Sequence, residues 1–263
     1  MDTSIRPARA LLAAALIILG ILGFIYGDFA PIWQRIPIEN LPSRVPLSYL
    51  TALIELFCGI GLLLKPTLKF ACLVLLPFLI LWTVLLRLPA VIAVPSMEAT
   101  WLGAAEIAVI TAGGWCLYAA HTGGPLTGER GVRIARWMLI LSLPAIGLAH
   151  FFYADQTAGF VPAWIGVPYF WTYLTGAGSL AACLGLAFNV FPRLAATLEA
   201  AMLGAITLGV WGAGPFLHPT DRMAWTGLTI SSAIAIGAWL VADTYRSNRW
   251  LGTGKSAAGI TLD

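Results

Sequence analysis

The sequence predicts an all-α integral membrane protein of eight transmembrane helices, built as two parallel four-helix repeats. Three observations predict it. The chain is 59% apolar and only 10% charged, against roughly 45–50% and about 25% for an ordinary soluble domain. Its apolar residues gather into runs of the length a bilayer needs, about 20 residues each. Residues of the first half recur in the second at a nearly fixed offset. With a net charge of only +3, the same composition excludes an ordinary soluble enzyme, a disordered chain and a basic nucleic-acid binder.

The apolar runs fall at 10–28, 46–64, 68–86, 100–120, 134–153, 168–188, 193–212 and 223–245, each bounded by Pro, Gly or charge. The first follows Arg6 and Arg9, is long, and ends without a clean small-x-small cleavage site. It reads as an uncleaved span. None of the runs alternates with the two-residue period of a membrane barrel. If the N-terminus is cytoplasmic, eleven basic residues share its side: Arg6, Arg9, Lys65, Lys69, Arg130, Arg133, Arg136, Arg193, Arg246, Arg249 and Lys255. Arg35, Arg44, Arg87 and Arg222 fall on the other. That bias orients both termini to the cytoplasmic face of an inner membrane. Trp33, Trp101, Trp164 and Trp225 then lie near the outer helix ends, as an interfacial aromatic belt requires.

The repeat is the strongest organisational signal. Arg9, Phe24, Tyr26 and Asp28 return 127 residues later as Arg136, Phe151, Tyr153 and Asp155. Tyr49, Leu50, Thr51, Gly61 and Lys69 return after 124 residues as Tyr173, Leu174, Thr175, Gly185 and Arg193. At that offset Trp101, Gly103, Gly113 and Trp115 become Trp225, Gly227, Gly237 and Trp239. The units are 1–127 and 128–263, joined by the polar stretch 121–128. An even number of spans per unit makes the repeat parallel, not inverted.

Each unit resembles the DoxX-like family of four-span membrane proteins. The second carries the resemblance in Phe151-Phe-Tyr-Ala-Asp155, Val161-Pro-Ala-Trp164, Trp171-Thr-Tyr-Leu-Thr-Gly176 and the small residues up to Gly185. The first repeats the outline with Phe24-Ile-Tyr-Gly-Asp28, Pro31-Ile-Trp33 and Tyr49-Leu-Thr51. The resemblance covers almost the whole chain. It implies membrane redox work, since relatives include the quinone-reducing thiosulfate oxidoreductase of archaea and detoxification complexes. By that implication the ligand is a quinone and the partner a redox protein.

Four residues are candidates for chemistry. Glu55 lies nine residues into the second span, roughly 13 Å below the outer surface, where a carboxyl group is costly to ionise and is read as functional by default. It either serves a site as a neutral, hydrogen-bonded acid or bonds helices together; the matching position in the second unit is Ser179. Glu106 sits six residues into the fourth span. Arg87, expected to close the third, reaches one of these carboxylates or snorkels to water. His150 replaces Gly23 of the first unit and shares a face with Tyr153, three residues on. Facing the bundle interior, it would relay protons or contact a quinone carbonyl. Glu199, in the cytoplasmic half, is expected outside this group.

Binding candidates are Asp28, Tyr153, Asp155 and Trp164 at the outer ends. Asp28 and Asp155 are expected to end helices, facing the unfavourable pole of the helix dipole. Each therefore needs a helix N-terminus or an arginine as partner, and a clamp on the outer loop is the plainer reading. Cys58, Cys72, Cys116 and Cys183 form no CxxC pair and read as packing residues. No haem or metal constellation is visible, and no nucleotide-binding or hydrolase motif. The expected cofactor set is therefore none from the chain itself, with any quinone diffusible. Three readings stay open: a quinone-linked redox accessory, a binder or carrier of a small apolar solute, and a structural membrane subunit.

Overall fold

A computed structural model describes residues 5–31 and 42–253. Among these, eight helices are long and apolar enough to cross a membrane. They are α1 (Ile5–Tyr26), α2 (Arg44–Leu63), α3 (Leu68–Ala93), α4 (Glu98–His121), α5 (Gly128–Phe152), α6 (Pro168–Ala187), α7 (Pro192–Leu217) and α8 (Arg222–Asp243). A short helix, Ala154–Gly159, lies in the connection after α5. Trp33 and Arg35 fall outside the described residues.

Each spanning helix packs on the next, α8 returns to α1, and α4 meets α8 through the middle of the bundle. Small residues set the closest approaches. A Cβ on Gly113 would stand 2.6 Å from the Gly237 Cα, and one on Gly237 would stand 2.5 Å from the Val109 carbonyl oxygen. Gly20, Gly23 and Gly59 bring α1 and α2 together in the same way. Such contacts drive association where lipid removes the hydrophobic contrast. Along α2 the buried residues Ser48, Ala52, Glu55, Cys58 and Leu62 recur every three to four positions, giving one inward stripe. Outside, Ile92, Leu141 and Leu208 are 71–74% exposed, an apolar face suited to lipid. Cys58, Cys72 and Cys116 are buried and Cys183 half-buried, all as free thiols.

Two helices run further than their hydropathy suggests. The third span, expected to stop at residue 86, continues to Ala93, and the seventh continues past 212 to Leu217. Each contains a π-helical turn, Thr83–Arg87 in α3 and Thr207–Trp211 in α7. The Leu88 N–H reaches back to the Thr83 carbonyl, widening the turn just ahead of Pro89. The helix thus continues past Arg87 and through Pro89. Arg87 consequently does not close α3; it lies inside the span, half-buried.

The two outer aspartates also sit differently from expectation. α1 ends at Tyr26, and Gly27 takes the left-handed conformation (φ +58°) that ends many helices. Asp28 follows it, already off the helix. α5 ends at Phe152 because Tyr153 leaves helical geometry, so Asp155 occupies the first turn of Ala154–Gly159. There a carboxylate meets the favourable pole of a helix dipole.

Candidate functional site

At the end of the bundle carrying the connection 153–167, a cavity of about 500 Å³ opens between α5, α6 and α7. Leu102 and Glu106 of α4 and Ser231 and Ile234 of α8 complete its wall. The lining is mostly apolar and aromatic, with Phe160, Trp171 and Trp211 contributing rings. Volumes of about 300–1,000 Å³ with a few placed polar groups are typical of small-molecule sites.

Its polar groups are few and specific. His150 Nδ1 lies 3.1 Å from Thr175 Oγ1, a hydroxyl that also stands 3.0 Å from the Thr172 carbonyl oxygen. Close packing holds the ring there: a Cβ on Gly176 would come within 2.8 Å of the His150 Cβ. Ser231 of the lining shares a 2.8 Å hydroxyl contact with Thr207, outside the lining, between α8 and α7. The Thr172 hydroxyl is different. Thr172 is 1% exposed, lines the cavity, and its Oγ1 has no hydrogen-bond partner among the described residues.

Of the candidates from the sequence, Glu106 and His150 line this cavity together. Arg87 lies beside it and does not line it. Its Nη1 stands 2.7 Å from where a Gly103 Cβ would be, and it interacts electrostatically with Glu106, one turn further along α4. Glu55 is elsewhere: 1% exposed, it belongs to the inward stripe of α2 and lies outside the cavity lining. Tyr153 accepts a hydrogen bond from the Ala99 N–H at 3.2 Å, tying the end of α5 to the start of α4. Asp155 Oδ1 accepts from the Tyr169 hydroxyl at 2.9 Å, tying the short helix to α6. Trp164 is 82% exposed in the connecting loop. Among the described residues no group of three His, Cys, Asp or Glu side chains is placed to hold a metal ion.

Asp28 forms a separate clamp. Arg44 Nε donates to its Oδ1 at 2.8 Å, and Arg222 Nη1 lies 3.6 Å from Oδ2. Arg222 Nη2 also donates to the carbonyls of Asp28 (3.1 Å) and Phe29 (2.7 Å), and its guanidinium lies over the Tyr26 ring at 4.9 Å. Partial burial pulls the Asp28 carboxyl upward. The Arg44 hydrogen bond, the Phe29 N–H and the two guanidinium charges outweigh it and hold the group below the usual carboxylate range.

Sequence reasoning missed Thr172, Ser231 and Trp211. Trp211 had a signal: it stands 124 residues after Arg87. A Cβ on Gly227 would strike the Trp211 ring at 2.5 Å, much as one on Gly103 would strike Arg87. Compared with known proteins, the chain matches no family model, no curated protein and no solved structure.

Proposed function

We propose that the chain is a DoxX-like inner-membrane protein of two tandem four-helix units, acting as an accessory in membrane redox metabolism. In this reading it binds a quinone-sized molecule in the cavity beside His150. The single observation that carries the binding role is the Thr172 hydroxyl, buried without a partner in an otherwise apolar, aromatic-lined cavity. A buried polar group left unsatisfied costs about 1–3 kcal/mol, and a ligand carbonyl would relieve it. The Thr175 hydroxyl, in hydrogen-bond reach of both His150 Nδ1 and the Thr172 carbonyl, fixes the ring at the same point. Glu106, beside Arg87, is the carboxyl group at the wall. Any electron transfer then belongs to the ligand and a redox partner, since no side chain here is redox-active on its own. In this reading Glu55 serves helix packing.

Several paired features support the tandem reading. The π-turns Thr83–Arg87 and Thr207–Trp211 are 124 residues apart. Trp101 Nε1 donates to the Pro95 carbonyl and Trp225 Nε1 to that of Pro219, both at 2.9 Å. Phe24 stacks on Tyr49, and Phe151 on Tyr173. The contacts between successive helices, the return of α8 to α1 and the central α4–α8 contact map onto themselves when α1–α4 exchange with α5–α8, with Gly113 against Gly237 at the centre.

Binding is tested with a short-tailed benzoquinone and the hydrocarbon of the same ring and tail, titrated in detergent by quenching of tryptophan fluorescence. The quinone is expected to bind and the hydrocarbon to bind about tenfold more weakly, the worth of one hydrogen bond. Thr172→Val should weaken the quinone by a similar factor while raising the stability of the empty protein by about 1 kcal/mol. Equal affinity for both compounds would support a binder of apolar solutes instead. No binding of either removes the site.

Orientation has its own test. A Cβ on Gly159 or on Gly123 would meet nothing within 4 Å, and the two residues lie at opposite ends of the bundle. With cytoplasmic termini, an impermeant maleimide added to intact cells should label Gly159→Cys and spare Gly123→Cys. The reverse pattern inverts the proposed topology.

A further inference from the structure

A second polar device lies in the opposite half of the bundle, away from the cavity beside His150. Ser179 of α6 and Glu199 of α7 are each 1% exposed, and the Ser179 hydroxyl donates to Glu199 Oε1 at 3.0 Å. The other oxygen, Oε2, is buried and has no partner among the described residues. Glu199 forms part of the wall of a groove of about 570 Å³ between α6 and α7, lined otherwise by apolar residues including Leu184, Phe188, Leu194 and Leu198. The groove lies on the outer surface of the bundle, where Leu184, Phe188 and Leu198 are exposed. Among the described residues no basic group is in ion-pair reach of Glu199. Arg193, the nearest in sequence on α7, turns away: its guanidinium lies over the Trp250 ring at 4.1 Å and donates to the Asn248 carbonyl.

We propose that Glu199 is a carboxylic acid in the groove wall, held neutral, whose hydroxyl is offered to a hydrogen-bond-accepting carbonyl on an apolar molecule entering the groove from the bilayer. The chemistry follows from counting lone pairs and protons. An ionised carboxylate would leave one charged oxygen unsatisfied in a low-dielectric wall, at a cost far above that of the neutral acid. As the acid, Oε1 is the carbonyl oxygen that accepts from Ser179, and Oε2 carries the proton. That O–H is a donor without an acceptor, so the missing partner is an acceptor. The apolar walls require its carrier to be apolar too. A phospholipid ester and a free ketone offer the same group.

The test uses the carboxylic acid itself as reporter. Dicyclohexylcarbodiimide partitions into lipid and reacts with protonated carboxyl groups. The acid proton passes to one carbodiimide nitrogen, and the carboxyl oxygen adds to the central carbon at the expense of one C=N π bond. Migration of the acyl group to nitrogen then leaves a stable N-acylurea, with no leaving group and no redox change. The full-length protein in nanodiscs should gain an adduct that peptide mapping places on Glu199, and Glu199→Gln should lose that adduct. A cationic, water-soluble carbodiimide should modify Glu129, exposed at the start of α5, and spare Glu199. Should Glu199→Gln fail to elute as a folded monodisperse species, mapping of the wild-type protein decides alone.

Occupancy is read from the labelling rate. If lipid esters fill the groove, labelling runs several-fold faster in ether-linked than in ester-linked phospholipid nanodiscs. If a free ketone is the occupant, added 2-undecanone slows labelling several-fold in both. No label at Glu199, equal labelling by the water-soluble reagent, or a rate indifferent to both lipid linkage and ketone would each overturn the proposal.

Discussion

Gly237→Leu is expected to abolish the folded protein. Gly237 of α8 lies against the backbone of α4, and a Cβ there would meet the Val109 carbonyl oxygen at 2.5 Å and the Ile110 Cα at 3.1 Å. These obstacles are backbone atoms, so no rotamer change relieves them. Overpacking a core ordinarily costs about 1–3 kcal/mol when side chains can shift; here two central helices would have to separate, and the cost should exceed that range. α4 and α8 also hold the two halves of the ring together through the middle, so the damage spreads to every neighbour. Size-exclusion chromatography in mild detergent should show aggregate and no monodisperse peak. Gly204→Ala is the control: a Cβ at that site on α7 meets nothing within 4 Å. Replacing a mid-helix glycine there should be neutral or stabilising by up to about 1 kcal/mol. A Gly237→Leu protein with an unchanged elution profile and melting temperature would mean that α4 and α8 do not meet at this crossing.

What the sequence makes legible follows from which forces are local. The spans are readable because apolar runs are a one-dimensional property, and all eight recur as helices. Their ends are less so. Hydropathy weighs Arg87 and Gly212 as terminators, yet a π-turn lets α3 pass Arg87 and Pro89, and another lets α7 reach Leu217. A shifted hydrogen-bond register leaves no trace in a hydropathy sum. The residue order shows that Asp28 needs compensation, and Arg44 and Arg222 supply it. It assigns Asp155 to the wrong helix, because nothing in it reveals that Tyr153 breaks one helix and starts another.

The site divides in the same way. Glu106 and His150 are legible because ionisable groups in apolar runs stand out. Thr172 does not stand out. A threonine within a span usually satisfies itself on the carbonyl one turn back, as Thr111, Thr207, Thr226 and Thr229 do. That Thr172 makes no such bond is visible only in three dimensions. Glu199 is legible as an acid within a span but is set apart by its depth; its Ser179 partner emerges only once α6 and α7 are side by side.

Arg222→Ala should produce the next largest loss of stability, and its partner Asp28 should give that loss a pH signature. Arg222 joins the start of α8 to the end of α1 through two backbone carbonyls, the Asp28 carboxylate and the Tyr26 ring. Asp28 joins the same point to the start of α2 through Arg44. The side chains of Asp28 and Arg222 are 34% and 23% exposed, so the ion pair itself is screened and contributes about 1 kcal/mol or less. The carbonyl hydrogen bonds add more, and removing the guanidinium should cost about 2–3 kcal/mol in all. That corresponds to a melting temperature lower by roughly 5–10 °C for a chain of this size. Asp28→Asn should cost less, about 1 kcal/mol, since Arg222 keeps its carbonyls. The unfolded carboxyl titrates near 3.8, and the folded one lower. Above 3.8 the carboxylate is ionised in both states and its contribution is complete. As the pH falls through that value toward the folded one, the unfolded chain takes up the proton first and the contribution drains away. The gap in melting temperature between wild type and Asp28→Asn should therefore be constant from about pH 7 to about pH 5 and close on further acidification. A gap that instead widens in acid, or an Arg222→Ala protein as stable as wild type, would show that the clamp does not hold these three helix ends together.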